Sequence, residues 1–196
     1  MSALLIAAVL LSADAPASHG VSKVSAVVAR TLPEAAAAQG EARRCAEGEG
    51  DEDGGLVACR EALRLGLRGP QRTALRQLLA RRLAERERFD ELVELYSEDT
   101  RERPGDSEAW RQLGAARLFL RADPAGALPA LEEAVKLRAE DGETHVLLGL
   151  CLNSLSRHVE AVAAFEEALR LDPESLELRP AARAAFEAAR RGERWP

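Results

Sequence analysis

Residues 148–175 read LGLCLNSLSRHVEAVAAFEEALRLDPES, and their spacing decides the fold. Leu148, Leu152 and Leu155 recur at i, i+4 and i+7, which places them on one face of a helix. Ala161, Phe165, Ala168 and Leu169 do the same for a second helix. Gly149 and Ala161 are small at the level where two antiparallel helices cross closely. Asp172-Pro173 ends the second helix, because proline lacks the N–H that a helix needs and restrains the residue before it. The stretch predicts a helix–turn–helix pair.

The pattern recurs. Residues 107–141, SEAWRQLGAARLFLRADPAGALPALEEAVKLRAED, repeat the order of small, large and terminating residues. So do residues 142–175, beginning GETHVLLG, and, more loosely, residues 73–106, TALRQLLARRLAERERFDELVELYSEDTRERPGD. The three segments are 34, 35 and 34 residues long, the period of helical-hairpin arrays. The extra residue of the middle copy falls in RADPAGA, where Pro124 and Gly126 predict a loop. Ser107, Asp141 and Ser175 are placed to cap the helices that follow them.

These segments resemble the tetratricopeptide repeat family. The second carries Trp110, Leu113, Gly114, Ala127, Leu131 and Ala134, with Ala139 in place of the closing proline. The third carries Leu148, Gly149, Leu152, Ala161, Phe165, Ala168 and Pro173, with His145 at the tryptophan position. The first carries Leu79, Ala80, Leu83, Leu92, Tyr96 and Pro104, with Arg76 at that position. The resemblance implies an all-α fold, a right-handed solenoid of antiparallel helix pairs with a C-terminal capping helix. It also implies a non-enzymatic protein–protein interaction scaffold whose concave face is lined by the first helix of each pair.

Carried onto this chain, the family's inward positions are Ala74, Gln77, Arg81 and Glu85 in the first pair. They are Glu108, Arg111, Ala115, Leu118 and Phe119 in the second, and Glu143, Val146, Leu150, Asn153 and Ser154 in the third. Gln77, Arg81, Arg111, Ala115, Leu118, Phe119, Val146, Leu150 and Asn153 are the expected partner-binding residues. Leu118, Phe119, Val146 and Leu150 would form an apolar patch, open to a partner or covered by a terminal segment. The lysine and asparagine clamp by which some relatives hold carboxyl termini is not matched, since only Asn153 could serve in it. An amphipathic or apolar segment therefore suits the face better than an acidic tail.

The flanks divide further. Residues 3–11, ALLIAAVLL, suit the core of a signal peptide and are too few to span a bilayer. Cleavage is expected after Ala17, or after Ala15, leaving residues 1–17 as the leader and no span in the mature chain. Residues 18–38 read as a linker or an N-terminal helix, with Thr31 and Glu34 forming a capping box. Residues 39–72 lie one period upstream of the array and keep Ala46, Ala58 and Pro70 without the large anchors, which predicts a degenerate helical-pair cap. In that register Cys45 and Cys59 sit on partner helices and are expected to form a disulfide after export. Residues 176–196 are expected to close the array. A helix starting near Pro180 would dock Ala184 and Phe186 and turn Arg183, Arg190 and Arg191 to water.

Little points to chemistry. The formal net charge of −6 argues against phosphate-driven nucleic-acid binding. Glu49, Asp51, Asp53 and Gly54 fit the start of a calcium-loop frame, but Arg60 stands where its closing glutamate belongs. His145 and Cys151 are off a shared face, Glu132–Glu133 and Glu166–Glu167 read as solvated charge, and there is no glycine-rich phosphate loop. No catalytic residue, metal or cofactor is expected. The expected partner is another protein or peptide segment, met in the periplasm or outside the cell as an adaptor of a bacterial envelope complex. The alternative is a cytoplasmic scaffold or regulator that keeps its N-terminus.

Overall fold

The computed structural model describes residues 36–47, 53–65, 69–174 and 179–194. The leader expected at 1–17, the segment from 18 to 35 with Thr31 and Glu34, Glu49 and Asp51 of the acidic loop, and Ser175 lie outside the described residues. Among the described residues every regular element is an α-helix. They are α1 (Ala36–Glu47), α2 (Gly54–Arg64), α3 (Gly69–Glu85), α4 (Phe89–Glu102), α5 (Ser107–Leu120), α6 (Pro124–Leu137), α7 (Gly142–Ser154), α8 (His158–Leu171) and α9 (Pro180–Arg190). They fall into two compact units, one ending at Leu92 and the other beginning at Val93.

In the first unit α1 packs against α2, and both touch α3. The buried apolar side chains of α1 and α2 are Ala38, Ala42, Cys45, Leu56, Ala58, Cys59 and Ala62. Alanine offers little area to remove from water, so this core alone stabilises the pair weakly. Cys45 and Cys59 are disulfide-bonded across it, 14 residues apart in sequence. Closing a loop of that length contributes about 3 kcal/mol in the chain-entropy account. Arginines tie the pair to its neighbours. Arg82 of α3 donates to the Ala46 carbonyl at 3.1 Å, and Arg72 to the Leu63 carbonyl at 3.1 Å, so two helix C-termini receive cations where the dipole favours them. Asp53, just ahead of α2, pairs with Arg88, and Arg60 pairs with Glu91. Asp53 is thus engaged by a cation within the fold.

In the second unit α5 pairs with α6 and α7 with α8, and α9 packs on α7 and α8. Two glycines set the closeness of the pairs. A Cβ on Gly114 would lie 2.6 Å from Cγ and Cδ2 of Leu131, and one on Gly149 would lie 2.8–2.9 Å from three ring atoms of Phe165. Leu131 and Phe165 are both fully buried, so neither has free space to yield into. Phe165 also meets Phe186 of α9, ring centroids 5.5 Å apart, with Arg190 over the outer ring at 5.7 Å. The docking face of α9 is Ala182, Ala185, Ala188 and Ala189, with Phe186 half-buried. Ala184, expected to dock, is exposed. It lies one residue before Ala185, about 100° around the helix, and so looks outward.

Caps and turns refine the sequence reading. Asp106, not Ser107, caps α5: its backbone is extended and its carboxylate accepts from Glu108 N–H at 3.0 Å, while Ser107 is already the first helical residue. Asp123 and Asp141 cap α6 and α7 in the same manner. Asp123 also explains why Pro124 and Gly126 do not lie in a loop. Proline opens α6 at its first position, where its missing N–H costs nothing, and Gly126 N–H donates to the Asp123 carboxylate at 2.8 Å.

Three turns between successive helices share one device. Glu87, Ala122 and Ser156 are the non-glycine residues with positive φ among the described residues, at 56°, 49° and 62°. They recur at the repeat period. After them, Arg88 N–H donates to Leu83 C=O, Asp123 N–H to Arg117 C=O and Arg157 N–H to Leu152 C=O, each at 2.9 Å. These are left-handed helix stops that satisfy an orphan carbonyl. The middle stop spans one residue more than the other two, and there the extra residue of the second repeat is housed.

Candidate partner-binding face

The first helices of the pairs present the residues expected to meet a partner, and the structure sorts them by burial. In the first unit Gln77 and Arg81 are exposed on α3, Ala74 is half-buried, and Arg81 pairs with exposed Glu85 at 3.0 Å. In the second unit the result differs from expectation. Ala115, Leu118, Val146 and Leu150 retain 2%, 8%, 1% and 6% of their surface, so the apolar patch is not open to solvent. Phe119 is half-buried and is the accessible apolar member of that row. Repeat position identifies a helix face but not what packs over it.

Asn153 is also withdrawn from the surface, at 0% exposure. Its Nδ2 donates to the Ala185 carbonyl of α9 at 2.9 Å, and its Oδ1 accepts from His158 Nδ1 at 2.9 Å. A residue read as a candidate clamp for a ligand's backbone instead holds the closing helix. His158 opens α8 and fixes the asparagine's orientation from its other side.

Arg111 is taken up in the same way. Its guanidinium donates to both carboxylate oxygens of Glu108, at 2.7 and 2.8 Å through Nη2, and pairs with Glu143 at 2.8 Å and Asp141 at 3.8 Å. Burial presses its pKa down, but the charge and hydrogen bond of Glu108 and the charges of Glu143 and Asp141 outweigh that and hold it above the ordinary value. Glu143 also accepts from Arg179, just ahead of α9, at 3.1 Å. The chain Glu108–Arg111–Glu143–Arg179 therefore runs from α5 to α7 to the start of α9. Arg179 had no distinguishing mark in the sequence, since its partner lies 36 residues away.

The tryptophan position shows how one place in the repeat accepts unlike residues. Trp110 Nε1 donates to the Pro104 carbonyl at 2.8 Å, and His145 Nε2 to the Ala139 carbonyl at 2.9 Å, each six residues back. Both rings close the turn that precedes their helix. His145 is thereby engaged in packing and turn closure. Cys151 is buried, its thiol donating to the Pro124 carbonyl at 3.1 Å, and burial pushes its pKa up to about 12. Among the described residues no group of three or more His, Cys, Asp or Glu is placed to hold a metal ion, and no helix is long and apolar enough to cross a membrane.

Helix pairs crossing at a glycine, left-handed stops at a fixed period, and first helices linked from one pair to the next define an all-α helical-repeat protein. Residues 113–175 match the family model described as Tetratricopeptide repeat. A solved structure titled MamA MSR-1 C2 is similar in fold, with a TM-score of 0.57 and 19% sequence identity over 81% of this chain and 90% of that one. No curated protein gives a significant sequence match.

Proposed function

We propose that this protein is a non-enzymatic interaction scaffold that holds a segment of another polypeptide against the first helices of its repeats, as an exported adaptor of a bacterial envelope complex. The observation that carries the reading is the division of labour among those helices. Their apolar and several of their charged residues are spent on packing, while Gln77 and Arg81 in one unit and Phe119 in the other stay accessible. A partner segment meeting α3 would find hydrogen-bonding and cationic groups, and one meeting α5 would find an aromatic edge. Repeat arrays offer extended surfaces of this kind in place of a pocket.

Two features support export. Residues 3–11 have the composition of a secretory core. The Cys45–Cys59 bond fits an oxidising compartment, since cytosolic thiols are kept reduced. Sequencing the mature N-terminus tests the location: Ser18 or Pro16 as the first residue is expected, and an intact start would overturn it. Affinity capture from envelope extracts tests the scaffold. Wild type is compared with a chain carrying Gln77→Glu, Arg81→Glu and Phe119→Glu. Loss of one or more specific partners is expected, and a folded variant that keeps them all would refute this placement of the surface.

A further inference from the structure

We infer that the Cys45–Cys59 bond makes the α1–α2 pair a redox-conditional element, folded onto α3 in the oxidised protein and released from it on reduction. Three observations converge. First, the pair's buried side chains are four alanines, two cysteines and Leu56, so without the bond little apolar area holds it. By contrast, the α7–α8 pair buries Val146, Leu147, Leu150, Leu152 and Phe165. Second, the attachments of α1 and α2 to the rest of the unit include four polar links. They are Arg82 to the Ala46 carbonyl, Arg72 to the Leu63 carbonyl, Arg88 to Asp53 and Arg60 to Glu91. Each of these groups regains water or another partner when the pair leaves, so these links resist release only modestly. Third, both sulfurs belong to fully buried residues, at 0% exposure. A reductant reaches them only when the pair opens, and once reduced the pair has lost its main constraint.

The step balances with a dithiol as reductant. One thiolate attacks a sulfur of the cystine to give a mixed disulfide, and the second thiol of the reagent displaces it. Cys45 and Cys59 emerge as thiols, having gained two electrons and two protons, and the reagent leaves as its cyclic disulfide. Release uncovers the surface of α3 on which α1 and α2 pack. The bond therefore governs whether that end of the first unit is covered.

Hydrogen exchange read by mass spectrometry on the full chain tests this, in oxidised form, after dithiothreitol, and in a Cys45→Ala/Cys59→Ala variant that keeps small buried side chains without the bond. Amides of α1 and α2 are expected to exchange roughly a hundredfold faster in the reduced and variant proteins. Peptides from α5 to α8 should be unchanged, and reoxidation of the wild type should restore the original pattern. Full protection of α1 and α2 in either bond-free form would overturn the inference. So would simultaneous loss across α5 to α8, which would make the bond a global staple. Neither result bears on whether the chain is exported, which the N-terminal sequence decides separately.

Discussion

Gly149 lies against the ring of Phe165 so closely that a methyl group on it would stand 2.8 Å from Cε1. Phe165 is fully buried and its ring also meets Phe186, so it has little space to retreat into. Gly149→Ala should therefore destabilise the protein by about 1–3 kcal/mol through overpacking. Phe165→Ala should cost about 3–5 kcal/mol through the cavity it leaves. Denaturant unfolding measures both. If the contact is as tight as described, adding Phe165→Leu to Gly149→Ala should recover part of the loss.

Ala122 and Ser156 hold left-handed backbone without the glycine that such positions favour. Replacing either with glycine removes the Cβ penalty of roughly 1–2 kcal/mol, partly offset by the greater freedom of glycine when unfolded. The expected net effect is a gain of about 0.5 kcal/mol or more for Ala122→Gly, read as a higher midpoint of thermal unfolding. A lower midpoint would contradict the local account of these turns.

Arg111 joins Glu108, Asp141 and Glu143, and its removal leaves those carboxylates facing one another. Arg111→Met should cost about 1–3 kcal/mol, because three part-exposed carboxylates lose the cation they share. Adding Glu143→Gln should return part of that. A double-mutant cycle measures the coupling, and strict additivity would show that the contact contributes nothing.

Cys151 is the free cysteine, while the other two of the chain's three cysteines are bonded. Alkylation at pH 8 should label no thiol in the native protein, one in denaturant, and three in denaturant after reduction. Burial raises the Cys151 pKa from 9.0 to about 12, so the folded state favours the neutral thiol. Its contribution to stability is then complete below pH 9 and is lost as pH rises toward 12. Cys151→Ala should flatten stability across that alkaline window.

Asn153 bridges His158 and the backbone of α9. Asn153→Ala should loosen α9 selectively, speeding exchange of its amides about tenfold while α5 and α6 keep their protection. Equal loosening everywhere would show that the asparagine stabilises the unit as a whole and not its closing helix.

What the sequence made legible is what close helix crossing demands locally. Gly114 and Gly149, Leu131 and Phe165, and Asp172-Pro173 carry steric or backbone requirements that few residues meet, so their spacing betrays the pairs. The turn stops were hidden because Glu87, Ala122 and Ser156 are chemically unlike, and none is the glycine or asparagine that signals positive φ. Composition alone points to Ser107 as the cap of α5, because serine caps as well as the aspartate beside it, and only the backbone at Asp106 decides between them. The candidate face was the least legible. Leu118, Val146 and Leu150 have the periodicity of an inward row, yet whether a row is open depends on tertiary contacts that no local pattern encodes. Arg111 and Asn153 likewise gained their roles from partners 32 residues away, at Glu143 and Ala185.

The left-handed stop seen after α3, α5 and α7 appears once more beyond α9, where Gly192 has φ 69° and Glu193 N–H donates to the Ala188 carbonyl at 2.8 Å. By this backbone grammar α9 is written like an opening helix. A designer who appended a second helix after Glu193 would find its approach angle already set, which makes this end a ready splice point for lengthening the array.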